Sequence, residues 1–225
     1  MKLFIIDTST SVFSMAVADS GTLLAEEMGV AGPSTAARLA PAISGLFAAA
    51  GLTPADMDGF AVTVGPGAFT GLRVGIALVK GLAYATGKPV IPLSSLALLA
   101  MNARGSDMPV CPLFDARKGE VYGALYNFAT GTKPTVADTA ADPATFLRQL
   151  DGRVLFLGDG ATRYADLIAD IMGDRAEFAG PSLLHPRASA GIDLARSLFA
   201  SGGAIPSAQL LPRYLRLSEA ELNRR

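Results

Sequence analysis

The residue types that build most compact catalytic and metal centres are nearly missing from this chain. It holds one cysteine, Cys111, and one histidine, His185, in 225 residues. A single thiol excludes a disulfide within the chain, which fits a reducing compartment. With one of each, no cysteine–histidine metal cluster can be assembled. A Ser-His-Asp or Cys-His mechanism would have to run through His185, which precedes Pro186 in a loop-like stretch where a structural role is the commoner one.

Charge is also scarce. Charged residues make up 17% of the chain and hydrophobic ones 50%, enough apolar material for a large core in one domain or two lobes. The formal net charge of −1 argues against binding nucleic acid through overall surface charge. Arg213, Arg216, Arg224 and Arg225 form a local basic feature near the C-terminus, or simply a solvated tail. Apolar runs are cut by Gly, Pro and polar residues well before membrane-spanning length, and Met1-Lys2 leads into strand-like sequence without a basic and then apolar leader. The expectation is a soluble, cytoplasmic protein that does not engage membranes.

Glycine is the opposite case. Gly65-Pro66-Gly67-Ala68-Phe69-Thr70-Gly71-Leu72-Arg73-Val74-Gly75 follows an apolar strand-like run, Phe60–Val64, and enters a helical pattern from Leu72 to Thr86. Strand, glycine turn and helix N-terminus in that order make a place where backbone comes close to something else. An anion, another polypeptide segment, or merely a tight turn would each satisfy it. Two phosphate motifs fail letter by letter. A Walker A loop needs Lys-Ser/Thr where Leu72-Arg73 stand, and the dinucleotide fingerprint needs glycine where Thr70 stands.

Around this stretch the chain reads as α/β. Lys2–Asp7 is a strand ending in a carboxylate, followed by a hydroxyl turn (Thr8-Ser9-Thr10-Ser11) and strands at Val12–Ala18 and Thr22–Met28. The hydroxyls can hold phosphate or metal-bound water, or satisfy backbone groups in the turn. Ser34–Ala50 is helical with Leu39, Ile43, Leu46 and Phe47 on one face, and Pro41 predicts a start near Leu39 or a bend. The next helix sets small residues at Gly71 and Gly75 and again at Ala77, Gly81 and Ala85. Interior helical glycine costs about 0.5–1 kcal/mol relative to alanine, so close approach of another helix is expected, either Ser34–Ala50 or a helix of another subunit. Lys88–Leu93 is a strand and Ser94–Ala103 a helix capped by Ser94 or Ser95.

After residues 104–107 the pattern restarts. Val110–Phe114 ends in Asp115. A polar turn, strands at Glu120–Tyr126 and Thr135–Asp138, a helix at Asp142–Leu150 and a strand at Val154–Leu157 follow. A turn at Gly158-Asp159-Gly160 leads into a helix to Met172, and Ser189–Ala200 is a further helix. This repeats the opening by pattern and predicts a duplication into an N-terminal lobe (1–104) and a reduced C-terminal lobe (105–225), with Asp7 and Asp115 at corresponding hairpins.

A duplicated lobe of this kind resembles the actin/Hsp70/sugar-kinase superfamily, a two-lobed, ribonuclease H-like α/β fold with mixed sheets flanked by helices. Within it, Ile6-Asp7-Thr8-Ser9-Thr10, the Gly65–Gly75 loop, Asp115–Tyr122 and Pro212-Arg213-Tyr214-Leu215-Arg216 together resemble the TsaB (YeaZ) family of tRNA threonylcarbamoyladenosine biosynthesis. The resemblance implies a non-catalytic scaffold. Its paralogue TsaD transfers the threonylcarbamoyl group, the ATPase TsaE joins the complex, tRNA enters only through that complex, and the protein alone forms a homodimer. It implies partner contacts through N-terminal helices, here Leu39, Ile43, Leu46 and Phe47 on the first and Arg73, Gly75, Ala77, Lys80 and Gly81 on the second. Asp7, Thr8, Ser9, Gly65, Gly67, Thr70, Gly71 and Asp115 would line the cleft where relatives hold nucleotide. No resident cofactor is expected, although weak ATP or ADP binding is compatible with the fold. Arg73, Arg117 and Glu120 would order loops by ion pairs.

TsaD-like relatives bind a metal through two histidines four apart, and the aligned places here are Ser95 and Leu99, which cannot replace them. That removes the basis for the transfer chemistry and for an older metallo-glycopeptidase reading. The histidine that many TsaB sequences carry near Ser34–Thr35 is also absent. The alternative reading is an ATP hydrolase or small-molecule kinase of the same superfamily, with Asp7 and Asp115 handling Mg²⁺ and water.

Overall fold

A computed structural model describes residues 1–32 and 35–216. Strands β1 (Lys2–Asp7), β2 (Val12–Asp19) and β3 (Thr22–Val30) lead to helix α1 (Thr35–Ala49), then β4 (Gly59–Gly65), α2 (Phe69–Thr86), β5 (Val90–Ser94) and α3 (Ser95–Met101). The second series is β6 (Val110–Arg117), β7 (Glu120–Tyr126), β8 (Pro134–Ala141), α4 (Pro143–Arg148), β9 (Val154–Leu157), α5 (Asp159–Arg163), α6 (Ala165–Met172), β10 (Ala176–Phe178) and α7 (Ile192–Ala200).

The sheets have orders β3-β2-β1-β4-β5 and β8-β7-β6-β9-β10, the second written from its β8 edge. In each, a three-strand antiparallel meander is extended by parallel pairing of its first strand with the fourth. The duplication read from the sequence is therefore present strand for strand.

Its boundary is not at residue 104. Among the described residues one compact unit comprises 1–32, 35–98 and 186–213, the other 99–185 and 214–216. The return of residues 186–213 has a packing cause. β1 is buried on both faces, so Phe4 and Ile6 face one apolar cluster and Leu3 and Ile5 another. The first cluster is closed by α1 and α2 through Leu39, Ile43, Phe47, Ile76 and Val79, with Phe4 and Phe47 stacked at 5.5 Å. The second face is closed by α7 through Ile192 and Ala195. Glu26 fastens the returning segment by accepting from Ser189 N at 3.2 Å and pairing with Arg187 at 2.6 Å.

In the other unit α4 and α6 bring Phe146, Leu147, Ile168 and Met172 against Cys111, Val121 and Phe156. Burial pushes the Cys111 thiol well above its ordinary range and leaves it unreactive.

Several local expectations shift. α1 begins at Thr35 with Pro41 inside it, past the first turn, where proline forgoes the hydrogen bond to the carbonyl four residues back. Whether Ser34 starts it lies outside the described residues. Ser94 caps α3, its Oγ accepting from Ala97 N at 3.1 Å. The helix expected after Gly160 is two short ones that meet at Tyr164, and β10 was not anticipated.

Candidate functional site

The glycine loop meets another part of its own unit. A Cβ on Gly67 would lie 2.5 Å from the Ser9 carbonyl oxygen, and one on Gly71 would lie 2.0 Å from that of Thr8. On Gly75 it would come within 2.3 Å of Thr8 Oγ1, and on Gly65 within 2.4 Å of the Arg213 carbonyl. Ala68 N donates to Ser9 O at 2.7 Å, Thr8 Oγ1 to Gly71 O at 2.8 Å, and Arg213 N to Val64 O at 2.7 Å. These glycines let the β1–β2 turn, the α2 entry and the Pro212–Arg213 segment touch backbone to backbone. Polypeptide contact, one of the three readings open from the sequence, is present, and the polypeptide is this chain.

Asp7 sits beneath that contact, fully buried. Its Oδ1 accepts from Ser9 Oγ and Thr63 Oγ1, both at 2.7 Å, and from Ser9 N at 3.2 Å, whereas Oδ2 is buried without a partner. Burial raises its pKa to about 6, and the three hydrogen bonds limit the rise. Thr10 Oγ1 turns back on Val12. The hydroxyls therefore satisfy backbone and carboxylate groups. Thr70 is exposed in the first turn of α2 and does not join them, and Arg73 lies over the Phe69 ring at 3.8 Å.

Asp115 is placed differently. Arg117 N donates to its Oδ1 at 2.9 Å, while Arg117 Nη1 and Arg163 Nε lie 3.4 and 3.6 Å from Oδ2. Arg117, Lys118 and Gly119 all have positive φ, so β6 turns into β7 through a left-handed tip with Arg117 opposite Glu120. Asp159 accepts from Asp115 N at 3.2 Å, and burial is the main cause that raises its own pKa. Arg216 pairs with Glu120 at 2.9 Å and donates to Ala116 O, which gives the Pro212–Arg216 motif a role in each unit. His185 lies within electrostatic reach of Asp159 but makes no polar contact through its buried Nδ1.

On α3, Ser95 and Leu99 are both fully buried. A hydroxyl and a hydrocarbon one turn apart do not make the two-nitrogen donor set of the related metal sites.

The residues predicted for the partner face differ in how far they are buried. Leu39, Ile43, Leu46 and Phe47 are 0–5% exposed and belong to the unit's own core, and Gly75 is buried against Thr8. A helical apolar stripe packs inward first. What remains outside is a groove of 620 Å³ between α1 and α2. Its exposed rims are Ala40, Ser44 and Ala48 on one helix and Ala77 and Gly81 on the other, with Ile43 and Phe47 at its floor. Lys80 is half-buried on α2 outside the groove lining, and Arg73 is exposed about two turns nearer the glycine loop. The Ala40/Ser44/Ala48 rim was missed, although its four-residue spacing matches Ala77/Gly81/Ala85.

These two features, a self-sealed glycine turn and a helix-lined groove, set the frame for comparison with known proteins. TsaB from Bacillus subtilis, a tRNA threonylcarbamoyladenosine biosynthesis protein, is 35% identical, with 98% of this chain and 96% of that protein covered. The chain belongs to the TsaB family. The Escherichia coli TsaB is 28% identical over 96% of this chain and 95% of its own length. The family profile of TsaD, tRNA N6-adenosine threonylcarbamoyltransferase, matches residues 17–221, so this chain shares its ancestry. The structure of YeaZ from Pseudomonas aeruginosa superposes with a TM-score of 0.84 at 32% identity, covering 95% of this chain and 99% of that one. Component A of (R)-2-hydroxyglutaryl-CoA dehydratase from Acidaminococcus fermentans matches at a TM-score of 0.53 and 12% identity over 89% of this chain and 99% of that one, a likeness of fold alone. The TsaB-like chain thus has the actin-like α/β fold expected from its sequence. Among its described residues no helix is long and apolar enough to cross a membrane.

Proposed function

We propose that this chain is a non-catalytic subunit in the formation of threonylcarbamoyladenosine on tRNA, docking a TsaD-like transferase through the groove between α1 and α2. The observation that carries the reading is the groove itself. Its small-residue rims let a partner helix approach closely, and its apolar floor gives that helix area to bury. A second copy of the chain occupies the groove when the transferase is absent, and a TsaE-like ATPase joins the assembled pair in the cytoplasm. tRNA is engaged by that complex.

The sealed glycine turn supports the non-catalytic part. The hydroxyls that would cradle phosphate are committed to Asp7, Gly71 and Val12 within the chain. Asp115 is bracketed by two arginines, which competes with a cation at that carboxylate. No resident cofactor takes part, and any ATP or ADP binding is weak.

Size-exclusion chromatography with light scattering, of the chain alone and mixed with the TsaD-like protein of the same organism, tests the docking. Ala77→Arg and Gly81→Arg should keep the melting temperature of the parent and lose both assemblies. Unchanged assembly in both variants would reject the groove. ATP turnover by the isolated chain that disappears in Asp7→Ala would instead favour the hydrolase reading.

A further inference from the structure

The tip of the β6–β7 hairpin carries more positive charge than a turn needs to close. Arg117 and Lys118 hold φ of 64° and 53°, ahead of Gly119 at 80°. Asparagine, aspartate or glycine normally fills such positions, and a left-handed residue with a long side chain costs about 1–2 kcal/mol. Stability alone therefore favours other residues here. Arg163, in the last turn of α5, converges on the tip through Asp115, and Arg216 does so through Glu120.

Arg117 and Arg163 face outward while Asp115 between them is taken up nearer the backbone, whereas Arg216 is the more buried member of its pair with Glu120. The Arg117 side chain is 81% exposed and that of Arg163 57%, against 6% for Asp115 between them. Asp159 is engaged by Asp115 N, and Glu120 by Arg216. Each of the two exposed guanidiniums reaches Asp115 by one long contact, at 3.4 and 3.6 Å, and Arg163 also engages Tyr164, its guanidinium carbon 5.8 Å from the centre of that ring. A guanidinium has five N–H donors, so one such contact leaves several for another acceptor.

We propose that this tip contacts the sugar-phosphate backbone of RNA, an inference that rests on the tRNA-modifying role given above and adds a binding surface to it. Phosphate oxygens suit forked guanidinium donors, and backbone contact requires only charge and donors. An acidic protein segment is the competing occupant. Protein interfaces draw on buried aromatic or aliphatic anchors, and none of the large hydrophobic side chains exposed among the described residues lies on residues 115–120. The net charge of −1 conceals the patch, because 20 acidic residues elsewhere and here balance 19 basic ones.

The test is filter binding of an in vitro transcribed tRNA across a salt series, with the chain alone and with the chain mixed with its TsaD-like paralogue. Arg117→Glu/Lys118→Glu is compared with Lys133→Glu/Arg148→Glu, an equal charge change on exposed residues elsewhere in the same unit. The tip variant should bind about tenfold to a hundredfold more weakly and lose about two from the salt slope, while the control stays within about threefold of the parent. Arg117→Gln/Lys118→Gln, which removes the charges without reversing them, should show the same direction and guards against misfolding in the reversed variant. Equal affinity and slope for tip and control variants would overturn the proposal. So would polyglutamate competing for the tip while tRNA binding is unaffected by the substitutions. Failure of the paralogue to co-elute would reject the docking reading alone, because binding by the isolated chain still decides the role of the tip.

Discussion

Asp7 and Asp115 stand at the same place in two copies of one topology, where the central strand of each sheet ends and its first hairpin begins. Around Asp7 the turn carries hydroxyls, the carboxylate is buried, and a glycine loop closes over it. Around Asp115 the turn carries Arg117 and Lys118, the carboxylate is bracketed by cations, and no glycine of the tip meets a neighbour. One hairpin has become an internal joint, the other an outward-facing tip. Topology therefore fixes where a carboxylate stands, and the few residues that reach it fix what that carboxylate can do.

Substitution of the glycines separates the two hairpins most strongly. Gly71→Ala should destabilise the protein by about 3 kcal/mol or more, because its Cβ would meet the Thr8 backbone. Gly119→Ala has open space around it and should cost only the left-handed penalty of about 1–2 kcal/mol. Urea denaturation of both variants measures the gap, and equal losses would mean that the first turn is not sealed.

Next in size is the pH dependence carried by Asp7. Its folded pKa of about 6 lies above the ordinary 3.8, so the folded state binds the proton more tightly than the unfolded one. The resulting stability is full below pH 3.8, falls as pH rises towards 6, and is gone above it. The loss is on the order of 3 kcal/mol for a rise of this size. Between pH 4 and 7 the parent should therefore lose stability relative to Asp7→Asn, measured as the difference between their urea midpoints. Parallel profiles would place the Asp7 pKa near its ordinary value.

The smallest effect belongs to the second hairpin. Arg216→Ala removes a half-exposed ion pair with Glu120 and should cost about 0.5–1 kcal/mol, largely screened at high salt. A larger loss would make this hairpin as structurally committed as the first.

Much of this arrangement could be read from the chain. The strands ending in Asp7 and Asp115, the repeat and the glycine turn all follow from local patterns. What the glycines touch could not, because Thr8 and Ser9 lie some sixty residues away and nothing local names them. The surface between α1 and α2 was read only in part for a related reason. Periodicity identifies the apolar stripe of α1, but the stripe is consumed by the chain's own core, and the usable surface is the alanine and serine row beside it. β10 escaped because three residues, Ala176–Phe178, are too few to show alternation. The return of residues 186–213 depends on α7 covering the far face of the first sheet, a pairing that no window of sequence contains.

That return has a consequence for synthesis. The ribosome delivers residues 99–185 before it delivers α7, so the face of the first sheet that holds Leu3, Ile5, Ile91 and Leu93 stays uncovered until the whole intervening unit has been made. The earliest part of the protein to be translated is thus among the last to be finished, and a chain that stalls before Ile192 leaves an apolar sheet face open to chaperones or to aggregation.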